Sequence, residues 1–139
     1  MRRRLLDTAL LAASVLALSA AAFPPAARSV EPSNVSFKRQ VQPIFNDFCV
    51  TCHQKGSAQQ GLVLEEGVAY GSLVDRPSQQ SKFVLVLAGM PSASYLMNKL
   101  DGSHITVGGK GARMPLGGEL DTGLIEMIRA WIAAGAKDN

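Results

Sequence analysis

The clearest hydrophobic pattern of the chain is a helical one close to its C-terminus. Apolar side chains recur there every three or four positions and form one face, made of Leu124, Ile125, Ile128 and Ile132, with Trp131 beside them. Asp121 stands where a residue that caps a helix N-terminus is expected, and Gly135 stands where a helix commonly ends. The pattern therefore predicts a helix between Asp121 and Gly135.

A second helical pattern follows Ser36. Its apolar positions are Phe37, Val41, Ile44, Phe45 and Phe48. Pro43 lies inside the pattern and has no N–H to donate, so we expect the regular helix to begin near Gln42, after a looser turn. Phe45 and Phe48 are predicted to contact the core or a bound group.

The middle of the chain gives weaker signals. We expect a short helix within 65–73, an extended segment over 83–87, and a helix from a cap at Ser94 to Leu100. Residues 101–113 are the most irregular part and contain four glycines, a density that lets the backbone fold tightly against a ligand.

The first 27 residues have the features of an export signal. Three arginines, at positions 2–4, precede an apolar stretch over 5–18, and small residues follow. Cleavage after Ala22 or after Ala27 fits this pattern equally well. Asp7 within the apolar stretch and the small residues after it favour a cleaved signal over an anchor helix. We therefore expect a signal peptide (1–27), a leader (28–35), a periplasmic location and no stable membrane insertion.

Residues 49–53 carry the most specific motif, Cys-Val-Thr-Cys-His. This C-x-x-C-H order is the attachment signature of a c-type haem. Cys49 and Cys52 can form thioethers with the two vinyl groups, and His53 can be the proximal iron ligand. A redox-active pair or half of a zinc site is the alternative. The chain has only these two cysteines and no visible βαβ frame, which favours one covalently bound haem c.

A second iron ligand decides what such a haem can do. With His53 alone the iron keeps an open position for gas binding or peroxide chemistry, whereas a second protein ligand favours electron transfer. The candidates for that ligand are Met90, Met97, Met114, Met127 and His104.

We favour Met114 among these candidates, because it lies in a glycine-flanked segment and is followed by Pro115. Met97 and Met127 fall in predicted helices, where core packing is the usual role of methionine. His104 comes second to Met114, although we expect it to be a solvent-facing loop histidine.

Charge adds a limit on partners. Removing positions 1–27 removes three arginines and one aspartate, so the formal charge falls from +3 to +1. No concentrated basic face is visible, and we expect no nucleic-acid binding.

About 112 remaining residues would make a marginal core, which we expect the haem to complete. Three cationic residues, Lys55, Lys110 and Arg113, are candidates to frame an exposed haem edge, and ordinary surface charge explains them equally well.

Further short stretches carry a family resemblance. In chain order they are Val41-Gln42-Pro43-Ile44, Gly61-Leu62-Val63-Leu64, Ser94-Tyr95-Leu96, Lys99-Leu100, Arg113-Met114-Pro115, Ile128-Arg129-Ala130-Trp131-Ile132 and Gly135-Ala136. With the C-x-x-C-H motif, the chain resembles a class I c-type cytochrome, and more closely the planctomycete-type cytochrome c domain. One departure is Ala88-Gly89-Met90-Pro91, in place of a Pro-Gly-Asp-Pro-like turn; it keeps Met90 as an alternative ligand.

The resemblance implies an all-α fold of three to five helices around one covalently attached haem, over residues 36–137. It implies His53 and Met114 as axial ligands. The expected function is periplasmic transfer of one electron to and from redox partner proteins, such as a dehydrogenase, an oxidase or a reductase, without enzyme activity. The alternatives are a haem-based sensor or small haem enzyme with an open sixth site, and an electron-transfer subunit of a larger complex.

Overall fold

The computed structural model describes residues 35–139, and the regular elements of this part are helices without a strand, which is compatible with the predicted all-α class. It contains the four α-helices α1 (Gln42–Phe48), α2 (Ala69–Leu73), α3 (Tyr95–Asp101) and α4 (Thr122–Ala133). A π-helical turn at Phe37–Val41 precedes α1, and 3-10 turns lie at Gln59–Gly61 and Pro91–Ala93. The predicted signal peptide and all of the predicted leader except Val35 lie outside the described residues.

The start of α1 confirms the predicted looser turn. Ser36 caps the π-helical turn with its hydroxyl, which accepts from the N–H of Arg39 at 3.3 Å. The regular helix begins only at Gln42, directly before Pro43. Pro43 cannot donate to the carbonyl of Arg39, so a regular α-helical bond is missing at this place.

Helix α4 is the centre of the core and has the predicted limits. The Asp121 carboxylate accepts from the N–H of Gly123 at 2.8 Å, and Gly135 follows the helix in the left-handed region with φ +96°. Trp131 is fully buried, with its ring centroid 5.0 Å from that of Phe37 in the π-helical turn. Helix α4 also packs against α3 and against the 3-10 turn at Pro91–Ala93.

The middle segments follow the predictions in part. The helix expected within 65–73 is shortened to α2, because Gly67 adopts φ +77° just before it. Within the predicted extended segment 83–87, Val84 and Val86 form isolated β-bridges with Pro77 and Val74, and bends at positions 83 and 85 keep it from being a strand. Ser94 precedes α3 as expected but caps nothing, since its hydroxyl accepts from the N–H of Leu87 and donates to the carbonyl of Met90, both at 2.9 Å.

Within residues 35–139, no helix is long and apolar enough to cross a membrane.

Candidate functional site

The Cys49–His53 segment continues from the end of α1 as a series of turns. The amides of Cys49 and Val50 both donate to the carbonyl of Phe45 at 2.9 Å. The amide of His53 then donates to the carbonyls of Cys49 at 3.1 Å and Val50 at 3.0 Å. These bonds fix the positions of both cysteines and the histidine relative to α1.

The two thiols differ in their surroundings. Both are free; Cys49 is half-buried and Cys52 is exposed. Burial, and to a smaller extent the negative charge of a Cys52 thiolate, raise the pKa of the Cys49 thiol from 9.0 to about 11. Cys49 is therefore a protonated thiol at neutral pH.

The His53 ring is oriented by a single backbone group. Its Nδ1 lies 3.0 Å from the carbonyl oxygen of Leu62. A carbonyl can only accept, so Nδ1 carries the proton, and Nε2 keeps the lone pair that a metal ligand needs. The carbonyl of His53 also accepts from the amide of Leu64 at 2.7 Å, so the 62–64 segment is bonded to His53 at two points. The sequence could not identify this acceptor.

A cavity of about 780 Å³ opens beside the motif. Its lining includes Cys49, Cys52 and His53, and it also includes Met114 from a distant part of the sequence. Phe45 contributes to the same wall, and apolar side chains make up most of the lining. The volume lies within the ~300–1,000 Å³ typical of pockets for cofactors and other small molecules.

Of the four methionines between residues 35 and 139, Met114 alone lines the cavity. Met97 is 1% exposed and packs in the core, as predicted, and Met127 is half-buried against the same core. Met90 is 53% exposed and lies at the start of the 3-10 turn. The structure thus brings together Cys49, Cys52, His53 and Met114, and it leaves the other methionines outside.

The expectation of a solvent-facing His104 is wrong. His104 is 4% exposed, and its Nε2 donates to the carbonyl of Gly111 at 2.8 Å. Its Nδ1 is buried without a hydrogen-bond partner among the described residues, and the ring does not line the cavity. The glycine-rich segment folds over the His104 side chain. The sequence pattern assigns His104 to an exposed loop, but this fold encloses it.

The polar part of the lining is cationic or neutral. It contains Arg76 and Lys99 together with several glutamines, and none of the described residues that line the cavity is Asp or Glu. Arg76 Nε donates to the carbonyl of Gly71 at 2.7 Å, and burial lowers the pKa of Lys99. Sequence reasoning assigns neither cation to the site: Arg76 belongs to no motif, and Lys99 is named only within the Lys99-Leu100 stretch of the family resemblance.

The cations that the sequence did single out lie elsewhere. Lys55, Lys110 and Arg113 do not line the cavity. Arg113 forms an ion pair with Glu119, and its Nε donates to the carbonyl of Leu100 at 2.9 Å.

No group of three or more His, Cys, Asp and Glu side chains within residues 35–139 could together hold a metal ion. No protein-family model, no curated protein and no solved structure matches the chain. The resemblance to a c-type cytochrome therefore stands on the sequence motifs.

Proposed function

We propose that this protein is a periplasmic monohaem c-type cytochrome that carries single electrons between redox partner proteins and has no enzyme activity of its own. The observation that carries the proposal is the meeting of Cys49, Cys52, His53 and Met114 at one largely apolar cavity. These four residues are the complete donor set for a covalently bound haem with two axial protein ligands.

The two thiols have the state that attachment needs. Each S–H would add across one vinyl group: the sulfur bonds to one carbon, and the hydrogen passes to its neighbour, with no leaving group. Both cysteines are free thiols and neither is held in a disulfide, which is the reduced state that thioether formation requires. Both line the cavity, so the two bonds would tether the group at the end of α1.

His53 and Met114 have complementary roles in the proposal. The Leu62 carbonyl holds the proton on His53 Nδ1 and leaves Nε2 free to bind iron. The Met114 sulfur is soft and neutral, and it would favour the ferrous state relative to a second histidine. The group that these two residues would hold would supply the one-electron redox chemistry of its iron.

The charge of the lining supports the same occupant. A haem carries two propionate groups, which are repelled by carboxylates and attracted by cations. Arg76 lines the cavity and is held in place by its bond to Gly71, and the described lining contains no carboxylate. Arg76 would therefore stabilise a propionate at this side of the cavity.

Carbon monoxide tests whether the sixth position is closed. The absorption spectrum of the reduced holoprotein is recorded before and after the gas is added. An unchanged spectrum is expected, because Met114 would occupy the position. A clear shift would overturn the carrier function and favour a haem-based sensor or small haem enzyme.

A further inference from the structure

The segment before Met114 lies directly against α3. The Lys99 ammonium donates to the carbonyl of Lys110 at 2.9 Å and to that of Ala112 at 2.7 Å. His104 Nε2 donates to the intervening carbonyl of Gly111 at 2.8 Å. Three successive carbonyls of this segment are therefore held by two buried side chains.

The contact is close enough to require glycine at one position. A Cβ on Gly109 would lie 2.3 Å from the Tyr95 hydroxyl and 2.7 Å from the carbonyl oxygen of His104. The Tyr95 hydroxyl also accepts from the amide of Lys110 at 3.2 Å. These short distances leave the segment little room to pack against α3 in any other position.

The same lysine also bonds to the methionine. The amide of Met114 donates to the carbonyl of Lys99 at 3.0 Å. Lys99 therefore holds the segment with its side chain at two carbonyls and with its main chain at Met114. Lys99 is also one of the residues that line the cavity.

A buried lysine held in this way is unusual. Lys99 is 8% exposed, whereas lysine is almost never buried without a charged partner. Within residues 35–139 it has no carboxylate within ion-pair distance. Its partners are neutral carbonyls, and charge-assisted hydrogen bonds to them are stronger than neutral ones. These hydrogen bonds offset the desolvation cost of the ammonium, and they are made to the segment that leads to Met114.

We propose that Lys99 is a positioning residue for the sixth iron ligand: it fixes the 110–112 backbone so that Met114 stays at the cavity. The inference rests on the proposed function, because Met114 is an iron ligand only there. Without the ammonium, the segment loosens and Met114 leaves the iron more readily.

The test compares Lys99→Met with Lys110→Met in the reduced holoprotein. Both variants lose one lysine charge at or near the same segment, but the exposed Lys110 contributes only backbone atoms to the contacts above. Lys99→Met is expected to raise the apparent affinity for carbon monoxide at least about tenfold, since two charge-assisted bonds are lost. Amide exchange at Met114 should accelerate in parallel, and Lys110→Met should change neither.

A general loss of stability must be separated from positioning. Ile132→Val, in the core and away from the cavity lining, supplies a destabilised reference in which carbon monoxide affinity should stay unchanged. Lys99→Gln keeps a donor and should fall between wild type and Lys99→Met; it replaces Lys99→Met if that variant fails to fold. Unchanged affinity and unchanged Met114 exchange in the Lys99 variants would overturn the inference.

The two proposals fail in different ways. If the wild-type protein contains no haem, the proposed function fails, and amide exchange over 110–114 still shows whether Lys99 holds the segment. If haem is present and the Lys99 variants behave like the wild type, the positioning role of Lys99 fails and the proposed function stands.

Discussion

The imidazole Nδ1 of His53 lies 3.0 Å from the carbonyl oxygen of Leu62, nine residues further along the chain. The short turn at Gln59–Gly61 brings this carbonyl back to the ring, and Gly61 completes the turn with φ +69°. Gln60 is left-handed as well, with φ +55°, so two successive left-handed residues directly before Leu62 set where the acceptor of His53 lies.

Gly61→Ala should therefore destabilise the protein by about 1–2 kcal/mol, the usual cost of a left-handed conformation for a residue with a Cβ. The new Cβ would also lie 3.1 Å from Nε2 of Gln79. Urea unfolding of the holoprotein measures the change. Gly118→Ala is the matched control, because Gly118 has no left-handed φ and nothing within 4 Å of the added carbon. Equal unfolding midpoints for the two variants would contradict this account of the turn.

Met114→Ala should open the sixth iron position. The reduced variant should bind carbon monoxide with a clear spectral shift, because no other described methionine lines the cavity. Met90→Ala is the control: Met90 is 53% exposed, and its loss should leave the spectrum insensitive to the gas. If carbon monoxide shifted the spectrum of Met90→Ala and left that of Met114→Ala unchanged, the sixth ligand would be Met90.

The pKa of Cys49 predicts how the stability of the haem-free chain changes with pH. The folded chain keeps the Cys49 proton up to about pH 11, whereas the unfolded chain loses it near the ordinary value of 9.0. Deprotonation between these values favours the unfolded state, so the free energy of unfolding should fall as pH rises from about 9 to 11. Below pH 9 this contribution to stability is fully present.

Urea midpoints of the haem-free wild type and of Cys49→Ala at pH 8, 9, 10 and 11 check this prediction. The lowered pKa of Lys99 acts in the opposite sense, and the comparison cancels it because both chains contain Lys99. The variant should lose less stability than the wild type. Parallel midpoints would show that the Cys49 thiol is not desolvated in the folded chain.

Sequence alone predicted those parts of the fold that depend on local pattern. The limits of α4 follow from its apolar face, from the Asp121 cap and from Gly135, and Pro43 explains why α1 begins only at Gln42. Met114 lines the cavity beside the cysteine motif and Met90 does not, although both precede a proline outside the α-helices, which is why local pattern left Met90 as an alternative.

The remaining contacts join distant loops, and no periodicity encodes them. The Leu62 carbonyl on His53 depends on a turn in which Gln60 and Gly61 both adopt left-handed backbone angles. The burial of His104 and the role of Lys99 depend on how a glycine-rich segment folds over α3. A polar residue in such a segment is assigned to the surface by composition, and only the tertiary fold shows it enclosed.

The intact mass of the exported protein tests the central claim most directly. It is measured under denaturing conditions after production in a host that attaches c-type haems. The account predicts that the wild-type mass exceeds that of the polypeptide by one haem, and that the double variant Cys49→Ser, Cys52→Ser shows the polypeptide alone. A wild-type mass equal to that of the polypeptide, with both thiols still free, would contradict it.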